Sequence, residues 1–408
     1  MKKIVLSIYT LLMISAITVG QEKKSPVSLK LKGFVNYEMI YDSRQVVTAR
    51  DGDVLLYPAA VSEDPNGKDL NAVSQFNALA ITSRLQGLIS GPDALGAKTS
   101  GMISADFFGT TNEKVGIVRL RQAYLKLKWD KSELLLGKAW HPLFITEVFP
   151  KVLSFGAAIP FYPLSRAPQV SYTVKGGRFE WTGALAAQQD FASAGPNGRT
   201  PSYLMNTGMP EVDSRLVYRG EKLLLGVGAG FWKLKPRLVS ATGYQTEETV
   251  NGMMINAFGK LSLKGATIRG GYLYGKNLSH LFMFGGYGVS EVSDDEQQIE
   301  SYTPTAASSL WADIEGGKGK VTWGFFAGYT KNLGADTDIT GPVYAVGSTI
   351  DNYMRFSPRL AYTTGKVKIG VEGIYHVAAY GTPDAQYKVT DTYDVDAFRF
   401  ITSVAYFF

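Results

Sequence analysis

The segment from Val27 to Asp42 alternates. Val27, Leu29, Leu31, Gly33, Val35, Tyr37, Met39 and Tyr41 share one parity, while Ser28, Lys30, Lys32, Asn36, Glu38 and Asp42 dominate the other. A period of two marks a strand with one apolar face. Strands of soluble sandwiches usually run about five or six residues. This pattern runs about fifteen, enough to cross a bilayer at a tilt and project beyond it. It recurs near residues 77–89, 99–108, 117–129, 133–140, 168–175, 178–188, 210–219, 222–235, 250–264, 266–275, 305–315, 320–331, 352–363, 366–376 and 394–408. The expected fold is all-β, a transmembrane antiparallel barrel of about sixteen strands.

The connections support this. Short ones are "DKS" at 130–132, "GG" at 176–177, "GE" at 220–221, Gly265, "GGKG" at 316–319 and "TG" at 364–365. Long ones are 43–75, 141–167, 189–209, 236–249, 276–304, 332–351 and 377–393. Short turns on one rim and long loops on the other are the habit of outer-membrane barrels. Beyond residue 20 no stretch approaches the ~20 apolar residues of a membrane helix. Residues 1–20 read as a secretory signal peptide: Lys2 and Lys3, an apolar stretch from Ile4 to Val19, then small residues before Gln21. Residues 21–408 read as one barrel domain, with no linker or compositional break. The chain has no cysteine, which removes disulfides, thiolate catalysis and cysteine metal sites.

Aromatic residues make up 12% of the chain, and Trp129, Trp140, Trp181, Trp232, Trp323 and Tyr406 fall near strand ends, as an interfacial girdle would. In the last strand Phe398, Phe400, Val404, Tyr406 and Phe408 share a parity, opposite Arg399, Ser403 and Ala405. An apolar terminal strand is an aggregation hazard unless covered. Pairing with the first strand would close the barrel and turn these aromatic rings to lipid. The aromatic–x–aromatic ending resembles the C-terminal insertion signature of outer-membrane barrels. Pro358 lies inside a strand pattern, so a bulge or local defect is expected there.

Motifs with catalytic or binding chemistry are few. "GPDALGAKTSG" at 91–101 lacks the Gly-Lys step and the following helix of a phosphate loop, and reads as a turn. The three histidines, His141, His280 and His376, have no metal-ligand spacing, so neither a metal nor a cofactor is expected. His376 shares a face with Glu372, which keeps a lipid-hydrolysing barrel enzyme as an alternative. The acidic pieces at 293–298 and 336–338 read as solvated loop. The span 137–169 holds Pro142, Phe144, Glu147, Phe149, Pro150, Lys151, Phe155, Pro160, Phe161, Tyr162, Pro163 and Arg166. So many apolar residues need cover from water. The span is therefore the candidate constriction loop, folded back into the barrel.

"YDSRQ" at 41–45, "RLRQAYLKL" at 119–127, "GKAWHP" at 137–142, "FPKVLSFGAAIPFYPLSRAPQV" at 149–170, "GFFAGYTKNLG" at 324–334 and "RFSPRLAY" at 355–362 resemble the DcaP-like trimeric porin family. The resemblance implies a sixteen-stranded barrel, a homotrimer in outer-membrane lipid, and passive uptake of small, often anionic, solutes. Arg119 and Arg121 depart from the pattern: they share parity with Leu125 and Leu127, so a bulge or a position beyond the lipid band must explain them.

The net charge of +6 is too small to argue from. Its distribution says more. Opposite each strand's apolar parity lie Arg84, Lys126, Lys128, Arg215, Arg269, Arg355, Arg359, Lys368 and Arg399, together with Glu38, Asp106, Glu180, Asp213 and Glu372. These are the candidate pore-lining residues. Cations outnumber anions, and a narrow lumen between low-dielectric walls focuses that field. The expected function is an outer-membrane porin of a Gram-negative bacterium, passing small hydrophilic solutes with a preference for anions. A barrel enzyme acting on lipid and a non-conducting surface-binding barrel are the alternatives. No nucleic-acid partner is expected.

Overall fold

The computed structural model describes residues 27–156 and 158–408; the expected signal peptide lies outside the described residues. Sixteen antiparallel strands close into a barrel. In chain order they are β1 (Ser28–Asp42), β2 (Gln75–Leu79, resumed at Arg84–Ser90), β3 (Lys98–Asp106), β4 (Arg119–Lys128), β5 (Ser132–Trp140), β6 (Arg166–Gly176), β7 (Phe179–Ala186) and β8 (Glu211–Arg219). There follow β9 (Leu223–Leu234), β10 (Val250–Leu263), β11 (Ala266–Lys276), β12 (Glu300–Lys318), β13 (Val321–Ala335), β14 (Ile350–Thr364), β15 (Val367–Pro383) and β16 (Val389–Phe407). Every expected segment corresponds to one of them.

The last strand is not an edge. β1 pairs with β16 from Phe34↔Phe407 to Asp42↔Arg399, and with β2 on its other side. The parity of each strand decides its faces. Leu29, Leu31, Val35 and Tyr37 of β1 are exposed on the outside, as are Phe398, Phe400, Val404 and Tyr406 of β16. Asn36, Glu38, Asp42, Arg399 and Ile401 are buried inside. An exposed apolar outer face over a polar interior is the pattern of a barrel solvated by lipid. On the short-turn rim Gly177, Gly265, Gly319 and Gly365 take φ of 58°, 89°, 64° and 56°. Tight hairpins that match strand twist require such left-handed residues.

Local departures have identifiable causes. Between β3 and β4 the register shifts from Ser104↔Gln122 to Ala105↔Leu120, so Arg121 is the extra residue of a bulge. Arg119, Arg121 and Gln122 are all buried inside, while Leu120 faces out. The parity conflict of the two arginines is resolved in this way. Pro358 pairs with Phe325 in unbroken register. Towards β15 the ladder lapses between Phe356↔Tyr375 and Arg359↔Glu372 without a shift. The proline therefore leaves a local gap instead of a bulge, because it has no N–H to donate.

The girdle expectation needs correction. Trp181, Trp323 and Tyr406 face outward and are exposed. Trp129 sits at the short-turn rim, its Nε1–H donating to the Leu95 carbonyl at 3.0 Å. Trp140 stacks on Phe144 inside the barrel, and Trp232 is fully buried against His280. Nearness to a strand end does not reveal which face a ring takes; parity does.

The long loops carry further strands. A hairpin of Val46–Ala49 and Val54–Pro58 dips into the mouth, where Leu55 packs on Ile40, Ile374 and Ile401. Gly285–Val292 pairs with the top of β12 and with Val343–Val346.

Candidate solute path

After Trp140 the chain turns inward, and residues 141–156 and 158–165 dock across the lumen. The expected span of 137–169 was too wide. Gly137–Trp140 belong to β5, and the ladder Trp140↔Arg166 makes Arg166 the first residue of β6. The docking wall is built from glycine. A Cβ at Gly228 or Gly230 would lie 2.8 or 2.9 Å from Leu143, at Gly328 2.6 Å from Phe161, and at Gly370 2.7 Å from Leu153. All are closer than carbon atoms pack, so a side chain at any of these positions would force the loop residue it meets to shift.

The loop's apolar residues find cover here. Phe161 stacks on Tyr353 with ring centroids 5.0 Å apart, and Tyr162 meets Trp311 edge-on at 5.2 Å. Phe144, Phe161 and Tyr162 are buried, and Phe155 lies 4.4 Å from Phe108. Polar tethers fix the backbone. The amides of Leu153 and Ser154 donate to Glu372 Oε2 at 2.5 and 2.9 Å, while Arg355 holds Glu372 Oε1 at 2.8 Å and Ser154 Oγ at 2.6 Å. Arg215 Nη1 donates to the Pro142 carbonyl at 2.7 Å. Glu147 pairs with Arg219 at 2.8 Å, and Lys151 Nζ sits 3.6 Å above the Phe149 ring.

The candidate pore-lining charges all come from inward positions, but they divide into two groups. Arg399 pairs with Asp42, Arg355 with Glu372, and both Arg359 and Arg269 with Asp313. These four arginines are more than nine-tenths buried beneath the loops. They hold the wall together and do not border open space. Glu38 accepts from Thr82 at 3.1 Å, Glu180 pairs with Arg219 at 3.0 Å, and Lys126 pairs with Glu133 at 2.7 Å. Lys128 and Lys368 lie towards the short-turn rim, Lys128 exposed and Lys368 half-buried. Asp106 accepts from both Arg119 and Arg121, the latter at 2.6 Å.

The open space lies against the opposite wall. A cavity of about 230 Å³ on the long-loop side is lined by Arg50, Arg84, Arg119, Arg121 and Arg166 against a single carboxylate, Asp190. Its apolar surface comes from Phe108, Trp140, Phe144, Phe149 and Phe155. The guanidinium carbons of Arg119 and Arg166 lie 4.8 Å from the Phe108 centroid and 5.1 Å from that of Trp140. Arg84 Nε, Arg121 Nε and Arg166 Nε and Nη2 have no hydrogen-bond partner within the protein. A second cavity, of about 210 Å³ on the short-turn side, is lined by Gln122, Tyr124, Lys126, Arg215 and Arg219. Trp140 and Phe144 border both, stacked 4.2 Å apart. They form the partition between the two chambers.

With this geometry the comparisons are informative. The chain superposes on the crystal structure of the outer membrane channel DcaP of Acinetobacter baumannii with a TM-score of 0.70 at 17% identity, covering 96% of this chain and 100% of that one. The fold is that of an outer-membrane porin. An anion-selective porin from Comamonas acidovorans gives a TM-score of 0.55 at 10% identity, covering 94% of this chain and 100% of its own. OmpT, an outer membrane protein of Vibrio cholerae, gives 0.56 at 12% identity, covering 95% and 99%. No family model and no curated protein matches the chain in sequence.

Two features of this porin fold escaped the sequence reading. Arg50 was hidden in a loop, and Arg119 and Arg121 sat on what read as the lipid parity. The histidines also behave differently from their spacing. His141 and His280 converge on Glu211, although the sequence pointed to no metal site. His376 lies apart from them, accepting from or donating to Tyr353 at 3.1 Å. Its neighbour Glu372 is fully engaged by Arg355 and the loop amides, which weakens the enzyme alternative.

Proposed function

We propose that the chain is an outer-membrane channel of a Gram-negative bacterium through which small hydrophilic solutes diffuse, anions ahead of cations. The observation that carries this reading is the cavity whose five guanidiniums outnumber the two carboxylates that meet them, Asp190 in the lining and Asp106 behind Arg119 and Arg121. In a narrow space between low-dielectric walls that imbalance attracts anions and repels cations. The route runs from the arginine cavity past Trp140 and Phe144 to the polar chamber beneath. The aromatic surfaces beside the guanidiniums favour carboxylates that carry an apolar body. A homotrimer belongs to the same reading; OmpT of Vibrio cholerae is described in a trimer form.

Reversal potentials across a planar bilayer under a KCl gradient test the selectivity. The wild type is expected to prefer chloride. The preference should fall as salt rises, since the Debye length shortens from ~10 Å at 0.1 M to ~3 Å at 1 M. Changing Arg50, Arg84 and Arg166 together to Ser should abolish it. Cation preference in the wild type, or full anion preference in the triple variant, would contradict the proposal.

A further inference from the structure

We infer that His141, Glu211 and His280, with Asp213 beside them, form a binding site for one divalent transition-metal cation of the zinc type. The four residues come from three separated segments: the start of the inward loop, strand β8, and the turn after β11. All four are at most 2% exposed. Glu211 Oε1 lies 3.0 Å from His141 Nε2, and Glu211 Oε2 lies 3.3 Å from His280 Nε2. Asp213 Oδ2 is 3.8 Å from His141 Nε2. Tetrahedral zinc with bonds of about 2.0–2.2 Å holds its ligand atoms about 3.3–3.6 Å apart. The observed separations bracket that edge, and the ligand atoms of His141, Glu211 and His280 all fall within 4.8 Å of one another.

Unmet bonding supplies the second line of argument. Both oxygens of Asp213 and both ring nitrogens of His280 lack a hydrogen-bond partner in the protein. The His280 Nε2 atom faces Glu211 at 3.3 Å without the direction a hydrogen bond needs. Buried polar atoms are almost always partnered, and four such orphans in one cluster call for an explanation. Two carboxylates side by side in a buried space also call for positive charge. A divalent cation answers both needs. Two imidazoles with the Glu211 carboxylate are a ligand set suited to zinc and its neighbours, and not to calcium or magnesium, and the Asp213 carboxylate adds negative charge beside them. Trp232 packs edge-on to His280 at 4.6 Å and fixes its ring. His141 also borders the lower chamber, which supplies an entry path. One local contact must yield: the Leu143 amide donates to His141 Nδ1 at 3.3 Å, and metal on Nε2 moves the ring proton to that nitrogen. The ion would then clip the start of the inward loop to the wall.

The chain's lack of cysteine and its three histidines make the test clean. The trimer is purified without a histidine tag, stripped with EDTA, dialysed, and titrated with Zn²⁺ by calorimetry. Cu²⁺ is then loaded for electron paramagnetic resonance, which counts imidazole nitrogens. The expected results are about one equivalent of Zn²⁺ per chain, two-nitrogen coupling, and a rise in unfolding temperature with zinc. His280→Phe should abolish stoichiometric binding, and His376→Phe should leave it intact. Should His280→Phe fail to fold, the wild-type nitrogen count still decides. No stoichiometric binding by the wild type, a Cu²⁺ signal with fewer than two imidazoles, or unchanged binding in His280→Phe would overturn the assignment.

Discussion

Trp140→Ala combined with Phe144→Ala is expected to raise the unitary conductance several-fold. The two rings are stacked 4.2 Å apart and border the chambers on both sides of the inward loop. Their removal merges the chambers, whereas the rest of the loop stays anchored by Phe161 on Tyr353 and by the Glu372 tethers. The variant should still fold, at a stability cost of about 3–5 kcal/mol for an aromatic truncated from a packed site. Single-channel recording in planar bilayers measures the change. The matched control is Phe161→Ala, which removes a ring on the docked side, away from both chambers. It should destabilise the barrel with a smaller effect on conductance. Equal conductance in the wild type and the double variant would show that ions take another route.

Arg399→Met is expected to destabilise the barrel by about 3–5 kcal/mol, the usual cost of leaving one buried charge without its partner. Arg399 lies in β16 and Asp42 in β1, directly opposite in the ladder that joins the two ends of the chain. Nε donates to Asp42 Oδ1 at 2.6 Å and Nη2 to Oδ2 at 2.8 Å, and Nη1 reaches the Gly52 carbonyl at 2.9 Å. The guanidinium is fully buried and Asp42 nearly so. Removing one partner strands the other at the seam. Arg399→Met with Asp42→Leu replaces both with apolar atoms and should recover most of the loss. The temperature at which the compact barrel is lost on an unheated gel compares the three proteins. A single variant as stable as the wild type would show that the seam charge is hydrated.

Much of this architecture was legible because the constraint is severe. In lipid every backbone group must be paired internally, so a barrel leaves its strand count, turns and facing directly in the period-two pattern. Closure through Phe398–Phe408 followed from parity, whereas the parity of Arg119 and Arg121 asked only for a bulge or a place beyond the lipid band, and the register settles it as a bulge at Arg121. The site was less legible. Parity says that Arg355, Arg359 and Arg399 point inward, but not that Glu372, Asp313 and Asp42 engage them. Ion pairing between strands depends on register, which alternation does not set. Arg50 reaches the cavity from a loop hairpin, where no periodicity operates. The glycines at 228, 230, 328 and 370 were visible in composition, yet only the docked loop shows what their missing side chains admit. His141 and His280 are 139 residues apart in sequence, beyond any spacing rule, and meet through the fold of two loops over β8.

Thiol accessibility tests the central claim, an arginine-lined water route inside a lipid-facing barrel. The chain has no native cysteine, so a single one can be placed at will. Arg84 and Leu85 are adjacent in β2, the first lining the cavity and the second exposed on the outer face. A negatively charged thiosulfonate added to channels in a bilayer should react with Arg84→Cys and lower its conductance, and should leave Leu85→Cys unaffected. A cationic reagent of the same size should react more slowly at Arg84→Cys, because the remaining guanidiniums repel it. Equal modification of both variants, modification of neither, or faster reaction with the cation would contradict the account.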